Sequence, residues 1–594
     1  MANNGNHTVC LPVFDYRSAG INFYTMKSIL RSPAIKKIIM SAAGKPLFRK
    51  IDRAADDIRS AQRQVLTSII EQTRDTVFGR EHRFDLIKTF EDYQKAVPIR
   101  DFEGHRPYID RMCRGEAGVL IPGKPLFYNT TSGTNDKPKL IPVSTSYFEK
   151  AYCETNRLWL YSCLRDNPRL FNGQNLSAVA PAVEGHVEDG TPFGSISGAS
   201  FRNIPGILKD LYSTPYPVIC IKDYQAKYYA MMRCALATNI TYIITVNPST
   251  LLQFHQTVVR HGAEIIKDIH DGTLRPDVAS MIDPAHREEV LCRFSPDPER
   301  AAWLESILQT HEDHLLPLHY WPDLVCINTW KQGNCALILP KIAGYYPGHT
   351  VIREFGYQAS ELRAGIVLGN DWACSLLLAH LYLFEFIEVS ESETVSPRVL
   401  QANELEIGKS YYILFSNGSG LFRYNINDII RVTGFYRQFP LFEFMQKGEG
   451  VTSLTGEKIS EVQVIRSVED AAKEAGLEIG FYTMFCDKDS YKYRLYAEFP
   501  PDTDTAGKTV FHSCVDLRLK YYNPEYATKR DSNRLELPEL IELVPNSYEL
   551  LKDRLIRENM AREGQYKVRY LRDDADMMQR YEDLVLCEST AVPA

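Results

Sequence analysis

Apolar residues recur every three or four positions over residues 50–77, which predicts one long amphipathic helix. The positions that set this period are Ile51, Ala54, Ile58, Ala61, Val65 and Ile69. Gly79 follows the pattern, at the place where a helix favours a residue with left-handed backbone. Residues 218–221 and 242–246 are short apolar runs near helical segments, and each predicts a buried strand. Alternating strands and helices favour an α/β fold.

Closely spaced strands are predicted further along the chain. Residues 411–415 and 421–424 flank the turn sequence Asn417-Gly-Ser-Gly420, which predicts a strand, a tight turn and a second strand. Residues 429–432 predict another strand. This part of the chain is therefore expected to be rich in strands.

The strand pattern breaks over residues 434–440, so we predict a domain boundary there. Residues 1–436 are expected to form a large N-terminal domain, and residues 437–594 a smaller C-terminal α/β domain. The smaller domain runs from a predicted strand at residues 493–499 to a predicted helix at residues 547–562.

Composition narrows the function classes. The chain has 594 residues, 44% hydrophobic and 24% charged, as in a globular protein with a large core. Its net charge is -7 and no basic stripe is visible, so we expect no nucleic-acid partner. The most apolar stretch, residues 372–387, contains His380 and Glu385 and is shorter than the ~20 residues of a membrane span. It predicts a buried strand pair and no membrane partner.

The cysteines indicate a reducing environment. There are thirteen, an odd number, and none form a Cys-x-x-Cys pair. The N-terminus has no basic segment followed by an apolar run, the pattern of a secretory signal. We therefore expect reduced thiols and a cytoplasmic location.

The first candidate for a functional site is the segment Tyr128-Asn-Thr-Thr-Ser-Gly-Thr-Asn-Asp-Lys-Pro-Lys139. It follows an extended apolar stretch, and a helix at residues 148–164 is expected after it, with Ser146 and Glu149 at capping-box spacing. Hydroxyls, backbone N–H groups and a lysine can together wrap a phosphate chain. It is not a Walker A loop, because Gly-Lys-Ser/Thr is missing from its end. The alternative is a polar turn.

Two later segments each end in a carboxylate. Glu361 is the last residue of the segment Gly356-Tyr-Gln-Ala-Ser-Glu361, near a strand end. There its carboxylate can hold Mg²⁺ directly or through water. Asp428 closes Leu421-Phe-Arg-Tyr-Asn-Ile-Asn-Asp428 at a predicted turn, where it can accept both hydroxyls of a ribose. Each has a plain alternative: Glu361 as a surface residue, and Asn427 with Asp428 as turn residues.

In this order the three segments resemble the signature motifs of the auxin-responsive acyl-acid amido synthetases, a branch of the adenylate-forming superfamily. That family shows Ser/Thr-Ser-Gly-Thr with a following basic residue, then Tyr-Ala-Ser-Ser-Glu, then Tyr-Arg-Val-Gly-Asp. Here they stand as Thr131-Ser-Gly-Thr134 with Lys139, Tyr357-Gln-Ala-Ser-Glu361, and Tyr424-Asn-Ile-Asn-Asp428. The resemblance runs over about residues 50 to 570 and indicates a divergent member.

The resemblance implies a fold and a set of site residues. The fold is a large N-terminal adenylate-forming domain of mixed sheets and helices with a smaller, mobile C-terminal α/β lid. Glu361 is implied as the Mg²⁺ ligand, Lys567 as the lysine that enters the site during adenylation, and Lys458 as a second lysine near the adenylate. The implied ATP-binding residues are Thr131, Ser132, Gly133, Thr134, Lys139, Tyr357, Ser360, Glu361 and Asp428.

The chain also departs from the family pattern. Asn135-Asp136 places an acidic group where small residues are usual. Asn425 and Asn427 replace the Arg and Gly of the third motif, and Gln358-Ala359 replaces Ala-Ser of the second.

The leading hypothesis is an ATP-dependent ligase that activates a carboxylic acid as acyl-AMP and transfers the acyl group to an amine or amino acid. One alternative is an adenylating thioester ligase that uses coenzyme A or a carrier protein, since its first half-reaction is identical. Another is a catalytically silent binding protein on the same fold, which the changes at Asn425 and Asn427 favour. The expected partners are a small-molecule acid and an amine, and the protein is expected to be a monomer or homodimer.

Overall fold

Five sheets organise the described part of the chain, and helices pack against them. The computed structural model describes residues 32–130, 139–311, 315–332, 335–336, 338–392, 394, 397–448, 450–452, 454, 457, 459–531, 535–558 and 568–586.

Many helices begin at a residue whose side chain caps the first turn. Asp57, Thr89 and Asp101 each accept a hydrogen bond from a backbone N–H three positions on. A π-helix (Phe148–Glu154) lies between α6 and α7. The α-helices are α1 (Pro33–Ala54), α2 (Ile58–Thr73), α3 (Val77–Glu81), α4 (Phe90–Ala96), α5 (Phe102–Cys113), α6 (Thr145–Tyr147), α7 (Thr155–Asp166), α8 (Ile196–Arg202), α9 (Gly206–Lys209), α10 (Tyr216–Ile219), α11 (Tyr224–Leu236), α12 (Ser249–Asp271), α13 (Pro276–Ser280), α14 (Pro284–Leu291), α15 (Pro298–Thr310), α16 (Pro317–Tyr320), α17 (Glu461–Ala475), α18 (Thr505–Tyr522), α19 (Pro524–Asp531), α20 (Ser547–Arg557) and α21 (Ala575–Glu582).

The strands are short except where a hairpin crosses the largest sheet. They are β1 (Phe127–Thr130), β2 (Leu140–Val143), β3 (Gln174–Ala178), β4 (Gly185–His186), β5 (Pro192–Gly194), β6 (Ile240–Thr245), β7 (Cys326–Thr329), β8 (Val351–Glu354), β9 (Gly365–Ile366), β10 (Ser375–Leu377), β11 (Leu383–Glu388), β12 (Val399–Gln401), β13 (Ser410–Ser416), β14 (Tyr424–Tyr436), β15 (Phe439–Lys447), β16 (Val451–Thr452), β17 (Ile459–Ser460), β18 (Phe481–Asp487), β19 (Lys492–Glu498), β20 (Glu539–Glu542) and β21 (Leu571–Arg572).

Three sheets lie in the first three quarters of the chain. The largest is antiparallel, with the order β12-β11-β13-β14-β15-β10-β9. A parallel sheet, β3-β6-β7-β8, packs with α11, α12 and α15 around a second core. A mixed sheet, β2-β1-β5-β4, shares the first core with the antiparallel sheet. Both sheets therefore contribute to one hydrophobic core.

The C-terminal part has its own sheet and core. The sheet order is β20-β19-β18-β21, and its core residues begin at Ile459. Residue 436, the predicted end of the N-terminal domain, is the last residue of β14, just before the turn to β15. Phe439 and Phe442, just beyond that turn, pack into the N-terminal core. The described strand at residues 492–498 matches the predicted one, and α20 covers the described part of the helix predicted at residues 547–562.

The long helix predicted over residues 50–77 is wrong. The chain forms α1 and α2 instead, because the Asp57 side chain accepts the Ser60 N–H at 3.0 Å and starts a new helix. Gly79 is not an end cap but lies inside α3, which Thr76 caps. Continuous apolar periodicity thus spans two helices whose faces bury against the same core.

Of the two short apolar runs predicted as strands, one is a strand and the other lies at a helix. Residues 242–246 overlap β6, as predicted, whereas residues 218–221 lie at α10, which begins after Pro215. Periodicity alone does not separate a buried strand from a short buried helix. Residues 372–387 contain β10 and β11, which pair with other strands of the large sheet and not with each other.

Two smaller predictions also differ from the structure. The helical run after β2 is capped by Ser144, which accepts the Tyr147 N–H, and not by Ser146. The strand predicted at residues 421–424 begins only at Tyr424. No helix among the described residues has the length and apolarity needed to cross a membrane.

Candidate active site

The first motif connects two paired strands. Thr131, Ser132, Gly133 and Thr134 lie outside the described residues, but Thr130 and Leu140 on either side are register partners of β1 and β2. Lys139 is half-buried, and its ammonium lies 5.6 Å from the centre of the Phe102 ring. The two ends of the motif therefore meet at one edge of the mixed sheet.

The second motif is hydrogen-bonded to the strand that leads into the first. The buried Asn129 amide donates to the Ser360 carbonyl at 2.7 Å, and the Ser360 hydroxyl donates to the Thr130 carbonyl at 3.1 Å. The Asn129 side-chain oxygen also accepts the Ile196 N–H at 2.8 Å. Asn129 therefore ties three segments together, which sequence reasoning missed. The sequence shows Asn129 only as an amide next to the first motif, and its burial is visible only in the structure.

The second motif also contacts the third. The Tyr357 hydroxyl donates to Asp428 Oδ2 at 2.5 Å, and both residues are buried. The Tyr357 ring stacks on Phe444 of β15, and its backbone N–H donates to the Ser375 hydroxyl at 3.0 Å. Burial raises the pKa of Tyr357 well above its usual value, and the Asp428 carboxylate raises it further. The tyrosine therefore stays a neutral donor that orients the carboxylate.

Glu361 is buried, only 8% exposed, so its reading as a surface residue is wrong. Its backbone carbonyl accepts the Tyr147 hydroxyl at 3.4 Å. Burial raises the pKa of Tyr424, and the Glu361 carboxylate, which is hydrogen-bonded to it, raises it further. Two buried carboxylates, Glu361 and Asp428, thus act on the same pair of tyrosines.

Asp428 does not lie at a turn after a strand. It lies within β14, where the register with β13 and with β15 is irregular. Asn427 has φ of 58° there, and its backbone N–H donates to the Asn425 side-chain oxygen at 2.8 Å. Such a bulge bends the strand and changes the direction in which a side chain points.

Buried groups outside the motifs hold these segments in place. Glu354 accepts the Gly356 N–H at 2.9 Å, and the Trp330 indole donates to the Gly356 carbonyl at 3.1 Å. Arg423, next to the third motif, forms a buried ion pair with Glu385 at 2.8 Å. Nothing local in the sequence distinguished these charged residues from ordinary surface ones.

The sequence matches three models of one family in chain order. They are the GH3 family N-terminal domain over residues 47–351, the GH3 family central domain over residues 375–447, and the GH3 family C-terminal domain over residues 462–576. The first match alone spans about half of the chain. This chain belongs to the GH3 family.

Named GH3 relatives are amido synthetases. Indole-3-acetic acid-amido synthetase GH3.5 of Arabidopsis thaliana is 24% identical over 557 residues, 87% of this chain and 89% of that protein. Indole-3-acetic acid-amido synthetase GH3.3 of the same plant is 25% identical over 575 residues, 92% and 94% of the two chains. The solved structure of GH3.15 acyl acid amido synthetase has a TM-score of 0.78 at 21% identity, covering 92% of this chain and 98% of that one.

These findings confirm three predictions from the sequence. They are the family, the mixed α/β fold with N-terminal and C-terminal parts, and the class of amido synthetase ligases.

The GH3 motif positions that diverge here have a structural explanation in one case. The residue before Asp428 has left-handed backbone, a conformation open to glycine and, among other residues, most readily to asparagine. Asn427 therefore adopts a backbone conformation that a glycine at this position would also adopt freely. The Asn425 side chain supports the same bulge through its bond to the Asn427 N–H.

Some expected GH3 site residues cannot be placed. Lys458 and Lys567 lie outside the described residues. Residues 194–198 run from the end of β5 into the start of α8, which the Ser195 side chain caps. This segment lies beside β1 through its contact with Asn129.

Proposed function

We propose that this GH3 protein is an ATP-dependent acyl acid amido synthetase. It activates a carboxylic acid as acyl-AMP and then transfers the acyl group to an amine or amino acid. The proposal rests on the hydrogen bonds that join the second motif to the other two. The Ser360 hydroxyl donates to the Thr130 carbonyl of β1, next to the first motif, and the Tyr357 hydroxyl donates to Asp428 of the third. Residues far apart in sequence are joined there by buried hydrogen bonds.

The nucleotide is proposed to span this junction. Asp428, oriented by Tyr357, accepts the two ribose hydroxyls, since a carboxylate can accept several hydrogen bonds. Thr131, Ser132, Gly133 and Thr134 surround the phosphates with hydroxyl and N–H donors, and Lys139 adds positive charge. The phosphates then lie toward the β1–β2 end, and the ribose toward β14.

A magnesium ion fits the donors near Glu361. A buried carboxylate next to the Tyr424 hydroxyl offers the hard oxygen ligands that Mg²⁺ prefers, and phosphate oxygens and waters complete its usual shell. When bound, the ion would neutralise charge on the phosphates.

The proposed chemistry has two steps. A carboxylate oxygen of the acid attacks the α-phosphorus of ATP, and the bond to pyrophosphate breaks. The amine nitrogen then attacks the acyl carbon, AMP leaves with the bridging oxygen, and the nitrogen loses a proton. Lys567 and Lys458 are proposed to stabilise the negative charge of the first step.

The test is acid-dependent exchange of radioactive pyrophosphate into ATP across a broad panel of acids, followed by acceptor trials. Exchange with an acid, and amide formation when amino acids are added, is the expected result. Product formation only with coenzyme A would instead identify a thioester ligase. No exchange with any acid would favour a catalytically silent binding protein.

A further inference from the structure

Arg363, two residues beyond Glu361, is a buried arginine without a carboxylate partner among the described residues. It is 1% exposed, and its guanidinium lies 5.5 Å from the centre of the Phe355 ring. Its Nη1 donates to Asn156, whereas no described residue accepts from Nη2. Burial of a charge without an opposite charge destabilises the folded chain. Such a group fits a site for an anionic ligand.

A second buried donor lies against the same phenyl ring. Trp159 is 5% exposed, its ring centre is 5.1 Å from that of Phe355, and its indole N–H has no acceptor among the described residues. Buried N–H groups are normally hydrogen-bonded. Both donors therefore need an acceptor, which the oxygens of a bound anion would supply.

Trp159 and Asn156, the hydrogen-bond acceptor of Arg363, share one face of a helical run. Asn156 and Trp159 are three positions apart on α7, and Tyr152 precedes Asn156 by four positions in the π-helix. Single π-helical turns within α-helices occur often at functional sites. The face presents Tyr152, Asn156 and Trp159 to the segment that carries Glu361 and Arg363.

Tyr152 lies within electrostatic range of both Arg363 and Glu361. Burial raises the pKa of Tyr152 well above its usual value, and of the two nearby charges Arg363 lowers it while Glu361 raises it. No carboxylate of the described residues forms an ion pair with Arg363, whose described polar side-chain partner is Asn156.

Building on the proposed function, we propose that the acid substrate is a dicarboxylic acid. One carboxylate reacts near Glu361, and the buried donors of Arg363 and Trp159 bind the second. The guanidinium fork suits a planar carboxylate, and the indole N–H adds a donor that a monocarboxylic acid would leave unused.

The experiment compares matched acids in pyrophosphate exchange: isophthalate with benzoate, and adipate with hexanoate. We expect the dicarboxylates to be preferred, and Arg363→Met to lower their kcat/KM about a hundredfold while the monocarboxylates change little. Arg363→Lys should recover part of the loss, because it keeps the charge but not the fork. Trp159→Phe keeps the ring contact with Phe355 and should cost about tenfold on dicarboxylates only.

Arg157→Met is the matched control, since Arg157 lies on the same helix but pairs with Glu149 at the surface. It should leave the preference unchanged. Equal activity with both acids of a pair, or equal loss on both in Arg363→Met, would overturn the inference while the proposed function stands.

Folding and binding are measured independently of turnover. Arg363→Met removes a buried, uncompensated charge, so its melting temperature should not fall; a large fall would indicate a structural role instead. Isophthalate should raise the melting temperature of the wild type and not of Arg363→Met. If no acid drives exchange, the proposed function fails, and this binding result alone decides whether a dicarboxylate site exists.

Discussion

Asn427 shows how a single residue sets the direction of the candidate ribose ligand. Its φ of 58° forms the bulge from which Asp428 turns to Tyr357. We predict that Asn427→Gly keeps nucleotide affinity within about twofold, since glycine adopts this region freely. Asn427→Val should lower the free energy of unfolding by about 2 kcal/mol and weaken ATP binding, because a β-branched residue is strained there. Denaturation and calorimetry test both, and equal behaviour of the two variants would contradict the bulge argument.

Asp428 itself should dominate nucleotide affinity. Hydrogen bonds to a charged group contribute roughly 1.5–3 kcal/mol each, so Asp428→Ala should weaken ATP binding at least tenfold in calorimetry. Tyr357→Phe removes only the bond that orients the carboxylate and should have a smaller effect. Unchanged affinity in a folded Asp428→Ala protein would disprove the ribose assignment.

At the scale of elements, His105 joins α5 to the approach of β14. Its Nδ1 donates to the Asp101 carbonyl at 2.9 Å, and its Nε2 accepts the Phe422 N–H at 3.2 Å, so the ring is neutral. Burial lowers its pKa to about 4. Protonation would break the bond to Phe422 and disturb the strand that carries Asp428.

The pH dependence of stability follows from this pKa. Between about pH 6.5 and 4 the unfolded chain binds a proton at His105 that the folded chain excludes, so the free energy of unfolding falls as pH falls. The contribution from pH 7 to pH 5 is about 2 kcal/mol. Urea denaturation at both pH values should show this difference shrink in His105→Gln. His286→Gln, at an exposed histidine, should leave it unchanged.

At the scale of the whole molecule, the C-terminal sheet has a core separate from the rest, beginning at Ile459. The β14–β15 hairpin belongs to the N-terminal core. We therefore propose that a mobile lid begins after Lys447 and not after residue 436. Lid movements of this kind exclude water and then admit a second substrate.

Lys567 tests the alternation of such a lid. Lys567→Ala should lose acyl-AMP formation by several orders of magnitude, yet convert chemically prepared acyl-AMP and amine to amide at nearly the wild-type rate. Lys488→Ala removes another lysine of the same part, one paired with Asp573 at 2.8 Å, and should affect neither step. Comparable loss in both half-reactions would mean that Lys567 has a shared structural role.

The sequence alone determined the α/β class, the family and the order of its motifs. Short runs of apolar residues indicate the class, and short motifs indicate the family. It pointed to Glu361 and Asp428 as the carboxylates of interest. It did not reveal that both are buried, or that Asp428 lies in a bulged strand.

Only the tertiary structure decided which groups meet. Tyr357 and Asp428 are 71 residues apart, and Asn129 and Ser360 are 231 apart. Hydrophobic periodicity shows that one face of an element is buried, but it contains no information on the element that covers it. Strand register and the shared core fix those partners. Only the folded chain therefore showed the start of a new helix after Asp57, the helix at residues 216–219, and the buried donors of Arg363 and Trp159 that have no acceptor among the described residues.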